Sequence, residues 1–166
     1  MRAPRLLLAA FLAALAALPL AGASAAPPEV ETVHNEGTFT IGPCPSGVTL
    51  VETYTEDLRI ITYVNQAGAI VRVQEHFDYE GEVTNPETGQ TVKDPAHGVR
   101  FFDFVAGTRG PVGLYYSTTV PGVGLVFHDV GRLVRDLDTG EVLFEAGPHD
   151  VLHEGDVALF CAALGA

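Results

Sequence analysis

His76, Asp78, Glu80 and Glu82 occupy every second position of His76-Phe77-Asp78-Tyr79-Glu80-Gly81-Glu82. On an extended strand this spacing brings all four side chains to one face, where their oxygens would suit a calcium ion. The same run on a solvated strand is simply an acidic surface, and that reading is preferred. A second group, His149, Asp150, His153 and Glu154, holds two histidines four apart. Such a pair grips zinc from a helix, but Gly147-Pro148 directly before it marks a turn. The segment reads as the lead-in to a later element. No metal, cofactor or catalytic residue is assigned.

Four other side chains are candidates for lining a ligand cavity: Glu75, Asp103, His128 and Arg132. Val71, Val73, Phe77 and Tyr79 alternate with Arg72, Gln74, His76 and Asp78, so Glu75 falls on the apolar face of a strand. Asp103 shares its face with Phe101 and Val105. A carboxylate drawn into an apolar interior is costly unless paired or protonated, which makes it a candidate ligand contact or general acid. Pairing with Arg100 or Arg132, or a register shifted by one residue, is the plainer explanation. His128-Asp129-Val130-Gly131-Arg132 reads as a tight junction between two strands, with Gly131 in a bulge and Arg132 free to pair with Asp129. The functional alternative to that structural reading has His128 and Arg132 lining a barrel mouth.

No nucleophile accompanies these groups. Beyond residue 25 only Ser46 and Ser117 remain, neither within Gly-x-Ser-x-Gly. Cys161 has no cationic neighbour in Leu159-Phe160-Cys161-Ala162-Ala163 to activate a thiol. Gly-x-Gly-x-x-Gly opening a helix and Gly-x-x-x-x-Gly-Lys are both absent, which removes those routes to nucleotide binding.

The elements that must position the candidates are strands. Period-two alternation runs from Thr38 onward, and Asn65-Gln66-Ala67-Gly68, Asn85-Pro86-Glu87-Thr88-Gly89 and Asp138-Thr139-Gly140 supply hairpin turns. The pattern predicts a meander of short strands at 37–41, 48–55, 58–64, 69–79, 81–84, 91–93, 98–106, 112–120, 123–128, 130–137 and 141–146. Closing such a meander removes its exposed edges. The expected fold is therefore an all-β, roughly eight-stranded antiparallel barrel, lipocalin-like in outline, with a β-sandwich as the alternative. Val157, Phe160, Cys161 and Leu164 form one helical stripe behind a capping Asp156, which predicts a short C-terminal helix. Because Phe101 and Phe102 point to opposite faces, that helix is the expected outer cover for their strand.

The chain has 166 residues with 9 Lys+Arg against 21 Asp+Glu. Twenty of its first 26 residues are apolar, so the positive mean hydropathy reflects that end and not the whole. Arg2 and Arg5, the apolar run Leu6 to Leu18 and Ala23-Ser24-Ala25 predict a signal peptide over 1–25. The run is too short to cross a membrane comfortably, and nothing later offers a span. Setting Arg2 and Arg5 aside leaves seven basic side chains against 21 acidic ones, a formal charge of −14. Nucleic acid is excluded as a partner on that balance. Residues 26–36 read as an extended N-terminal arm and 37–166 as a single domain. In an oxidising compartment Cys44 and Cys161 are expected to pair and tie the chain ends together.

The leader, Phe39-Thr40-Ile41-Gly42-Pro43-Cys44, His128-Asp129-Val130-Gly131-Arg132-Leu133, Ala146-Gly147-Pro148-His149 and Phe160-Cys161-Ala162-Ala163-Leu164 resemble an uncharacterised group of small secreted proteins of high-GC, actinobacterial-type soil bacteria. The resemblance implies an extracellular single domain with paired terminal cysteines, and it carries no activity or catalytic residues with it. The expected role is a secreted, non-catalytic barrel holding a small hydrophobic molecule. One alternative is a cyclase- or isomerase-type enzyme using Glu75, Asp103 or His128. Another is an envelope-associated acidic protein that associates through calcium.

Overall fold

Seven runs of alternating side chains form strands in a computed structural model that describes residues 26–120, 122–150, 153 and 157–166. They are β1 (Glu29–Ile41), β2 (Leu50–Val64), β3 (Ile70–Thr84), β4 (Thr91–Asp103), β5 (Thr108–Val120), β6 (Gly124–Asp136) and β7 (Val142–Ala146). The leader, the cap position Asp156 and Glu154 lie outside the described residues. All seven strands join one antiparallel sheet in chain order. No ladder joins β7 to β1 among the described residues, so the all-β antiparallel meander is present while the closure expected of a barrel is not seen.

The strands are fewer and longer than anticipated, for identifiable reasons. Glu56 and Asp57, read as a break, stay inside β2 because Glu56 meets Arg100 and Asp57 meets His34. Pro95 stays inside β4 because the ladder to β5 begins only at His97, beyond the point where a missing N–H would break it. Gly81 leaves the register of β3 unbroken. The first strand begins at Glu29, so most of the arm expected over 26–36 is part of β1. Side-chain carboxyl and amide groups close the turns: Asn65 Oδ1 accepts from the amides of Ala67 and Ala69, and Asp136 Oδ1 from those of Asp138 and Thr139.

A row of glycines crosses the curled half of the sheet. Gly98 opposes Gly113, Gly113 opposes Gly131, and Gly147 approaches Gly131 on the far side. Gly113, Gly131 and Gly147 have φ of 122°, 131° and 104°, and a side chain on Gly131 would strike the Ala146 carbonyl. Without side chains there, the strands bend and approach closely. Curvature is strong enough for residues of every strand from β1 to β6 to line a single cavity.

The helix α1 (Val157–Ala163) covers one end of the inner face, where Phe160, Cys161 and Leu164 pack with Leu50, Val83, Val92, Val120 and Val126. The expectation that this helix covers the outer side of the strand bearing Phe101 and Phe102 is not met; the Arg132 guanidinium lies over Phe101 there, 6.0 Å from the ring centroid. Cys161 is bonded to Cys44, 117 positions away. Asn85, 0% exposed, locks the same corner: its Nδ2 donates to the Leu164 carbonyl at 2.9 Å, while its Oδ1 accepts from the Glu87 amide. No helix among the described residues is long and apolar enough to cross a membrane.

Replacing both cysteines by serine is expected to lower unfolding free energy in urea by about 4 to 5 kcal/mol, the chain-entropy cost of opening so long a loop. Asn85→Ala should cost roughly 1–3 kcal/mol in the same measurement, because it removes a buried donor to the Leu164 carbonyl and the acceptor of the Glu87 amide.

Candidate functional site

The inner face carries the chemistry, and its register decides which side chains meet. Phe39 lies opposite Glu52, Glu52 opposite Val83, and Gly81 opposite Asp94. Glu52 and Asp94 are thereby drawn under α1, at 4% and 6% exposure. Tyr79 donates its hydroxyl to Glu52 Oε1 at 2.5 Å, and Thr118 donates to Asp94 Oδ1 at 2.7 Å. Neither carboxyl forms an ion pair with a cation among the described residues. Gly81 makes the arrangement possible, since a Cβ there would fall against Glu52 Oε1 and the Asp94 carbonyl.

Burial without a cation favours the neutral carboxyl. It raises Glu52 above the usual carboxylate range, with the Tyr79 hydrogen bond opposing and the charge of Asp94 adding. Asp94 is raised for the same first reason, with the Thr118 hydrogen bond opposing. Burial likewise drives the Tyr79 and Tyr116 hydroxyls far up, so both remain donors at any ordinary pH. The acids border a cavity of about 340 Å³ whose other walls include Phe39, Ile41, Val83, Phe127 and Phe160. The site therefore sets two buried carboxyls, both with raised proton affinity, beside a space walled by rings.

Farther along the face, Phe39, Tyr54 and Tyr79 follow one another at centroid spacings of 5.8 and 5.4 Å. Arg100 stands beyond them, over the Phe77 ring at 4.9 Å. Its Nη2 donates to Glu56 Oε1 at 2.7 Å, and its Nε lies 3.0 Å from Glu75 Oε2 at an angle that makes an ionic contact but no hydrogen bond. The opposite end opens as a cavity of about 430 Å³, bordered by Arg100, Phe102, Arg109, Pro111, Leu133 and Arg135.

The residues singled out from sequence are scattered. Glu75 does face inward, but as a partner of Arg100. Asp103 does not: it ends β4 opposite Arg72, and its Oδ1 accepts from the amides of Val105 and Ala106 to shape the next turn. The segment 128–132 is mid-strand in β6 instead of a corner. His128 pairs with Ser117 across the strand, and its amide donates to Asp150 Oδ2 at 2.7 Å. Arg132 is exposed on the outer face, over Phe101 and Phe144. His76, Asp78, Glu80 and Glu82 do share one face, all exposed, with Asp78 directly between Asp57 and His97. Among the described residues no three His, Cys, Asp or Glu converge on a position able to hold a metal.

His149 has a different role from the ligand one weighed for it. Its Nδ1 lies 2.7 Å from Asp129 Oδ1, with side chains only 1% and 7% exposed. The pair fastens the segment after β7 to β6, beside the hydrogen bond from the Val130 amide to the Pro148 carbonyl. The His149 Nε2 is buried without a partner among the described residues. His149 lines neither of these two cavities, although Asp129 borders the one at the open end, and the pair acts as a strap. His153 pairs with Glu145 at 2.7 Å.

Glu52 and Asp94 went unmarked in the sequence, although the rule that finds Glu75 finds both. Leu50, Glu52 and Tyr54 share one phase of β2; Val92, Asp94 and Ala96 share one phase of β4. No protein-family model, curated protein or solved structure matches this chain.

Because both folded carboxyls hold their protons to higher pH than the unfolded chain does, the native state binds more protons in that window, and stability falls as pH rises through it. Urea unfolding from about pH 4 to about pH 8 should show Glu52→Gln and Asp94→Asn gaining on the parent protein as pH rises. A variant-to-parent difference independent of pH would contradict the burial argument. Asp129→Asn should cost roughly 1–3 kcal/mol, the usual penalty for disturbing a buried side-chain hydrogen bond.

Proposed function

We propose that this protein is an exported binding module whose inner face holds a small, mainly apolar molecule, oriented by hydrogen bonds to Glu52 and Asp94. The observation that carries this reading is the cavity of about 340 Å³ in which ring side chains surround two carboxyls unaccompanied by any cation. Binding sites of this kind combine a predominantly apolar wall with a few fixed polar groups. The leader-like N-terminal sequence and the Cys44–Cys161 disulfide support export. A barrel in outline is supported by the single seven-stranded sheet, which runs in chain order and curls enough for β1 to β6 to border one cavity.

The raised carboxyls favour one second reading, acid catalysis of the cyclase or isomerase kind. It would be centred on Glu52 and Asp94 in place of Glu75, Asp103 or His128. Under that reading Asp94→Asn keeps binding and loses turnover; under the first, there is no turnover to lose.

Titration of the protein beginning at Ala26 with a neutral apolar fluorescent dye such as Nile red tests the binding role. Saturable uptake is expected, and Val157→Trp, at the cavity wall on the exposed side of α1, should weaken it about tenfold, roughly 1.4 kcal/mol. Uptake that never saturates, or that ignores the tryptophan, would overturn the proposal.

A further inference from the structure

Arg109 and Arg135 face each other directly across β5 and β6, and both border the cavity of about 430 Å³ at the end of the inner face away from α1. Like charges in directly opposed strand positions repel. Arg135 is half-buried and Arg109 exposed, and neither forms an ion pair among the described residues. Their contact with the fold is slight: Arg135 Nη1 donates to the Gly140 carbonyl at 3.5 Å. The chain has 21 acidic residues from which to supply a counter-charge, and in the same cavity Arg100 takes two of them. Three of the nine Lys and Arg residues thus border one cavity, and two of those three are left without a carboxylate.

We infer that Arg109 and Arg135 form the head-group end of a second binding site, which takes a carboxylate-bearing amphiphile. Two guanidinium forks can share the oxygens of one carboxylate, and the bound anion would relieve their mutual repulsion. The remaining wall specifies the rest of the ligand. Phe102, Pro111 and Leu133 offer apolar surface next to the arginines, so a hydrocarbon or ring body continues from the head group. Asp129 also borders the cavity, with its Oδ1 held by His149. Together with Glu56 and Glu75 beyond Arg100, it makes the far end unfavourable to a second negative charge. A monoanion with an apolar body fits this gradient; a polyphosphate does not. The site is separate from the acid-lined cavity and does not depend on it.

Calorimetric titration of the protein beginning at Ala26 with decanoate, decanol and inorganic phosphate tests the inference. Decanoate is expected to bind saturably and at least tenfold more tightly than decanol, with phosphate a poor competitor. Arg109→Gln and Arg135→Gln should each weaken decanoate at least tenfold, while Arg59→Gln, on the exposed outer side of β2, should not. Each glutamine variant should melt no lower than the parent, since a repulsive pair is removed, and either one that folds suffices. Nile red uptake in Arg135→Gln should persist, which separates failure here from failure of the acid-lined site. Equal binding of decanol, displacement by an equal concentration of phosphate, or indifference to both arginine variants would overturn the inference.

Discussion

Everything on the inner face under α1 depends on how the chain end is held there. A seven-residue helix has almost no stability of its own in water. Here it is bonded through Cys161 to the segment between β1 and β2, and the Leu164 carbonyl just beyond it accepts from Asn85 and Thr88 in the turn between β3 and β4. Held in this way, Phe160 and Leu164 close over Leu50, Val83 and Val92, and Phe160 becomes a wall of the acid-lined cavity. The displacement of the Glu52 and Asp94 equilibria has burial as its largest cause, so it follows from that covalent tie more than a hundred residues away in sequence. Local contacts set the direction of each hydrogen bond; the tie sets the dielectric around it.

Along the strands the inner face passes from acid to base. Under α1 two carboxyls are satisfied by hydroxyl donors alone. In the middle Arg100 is neutralised by Glu56 and Glu75 and its plane is spent on the Phe77 ring. At the open end Arg109 and Arg135 are left without a carboxylate partner. Rearranging the same residues would have produced ordinary ion pairs, and their separation keeps oppositely polarised groups available at the two ends. Each end carries a cost the fold must absorb, desolvation at one and like-charge repulsion at the other. That pattern belongs to sites more often than to scaffolding.

Much of the fold was legible, because a period of two leaves no freedom about which face a residue takes. The Val71 to Tyr79 run, the turns at Asn65 and Asn85 and the stripe of α1 all follow from it. The legible part of the site was less complete. Phase alone puts Glu75 on the inner face, yet Asp94 escapes because Pro95 marks a strand end at Lys93 in the sequence. The true constraint there is a ladder that starts two residues later, a property of β5 and not of β4. Asp103 does share its phase with Phe101, but that phase is the outer one, where Arg132 lies over Phe101; at the end of β4 its carboxyl caps the turn. The Asp129–His149 pair had no local signature, since the two residues are brought together only by the return of the chain beyond Gly147.

An open meander must still protect its first and last strands from pairing with other chains. The two edges do this by different means. β1 carries Glu29, Glu31 and Glu36 along its free side, in a chain already strongly negative, so an approaching copy meets like charge. β7 has only five residues, all exposed, and is too short to template a long ladder. One of its apolar side chains, Phe144, is also engaged by the Arg132 guanidinium at 5.7 Å. Arg132, expected at a cavity mouth from its place in a supposed strand junction, thus serves the outer surface, and the arginine that does border the cavity is its neighbour three residues on, Arg135. The odd spacing between them places one guanidinium on each side of β6, so a single strand supplies both the protection of an edge and the positive end of a site.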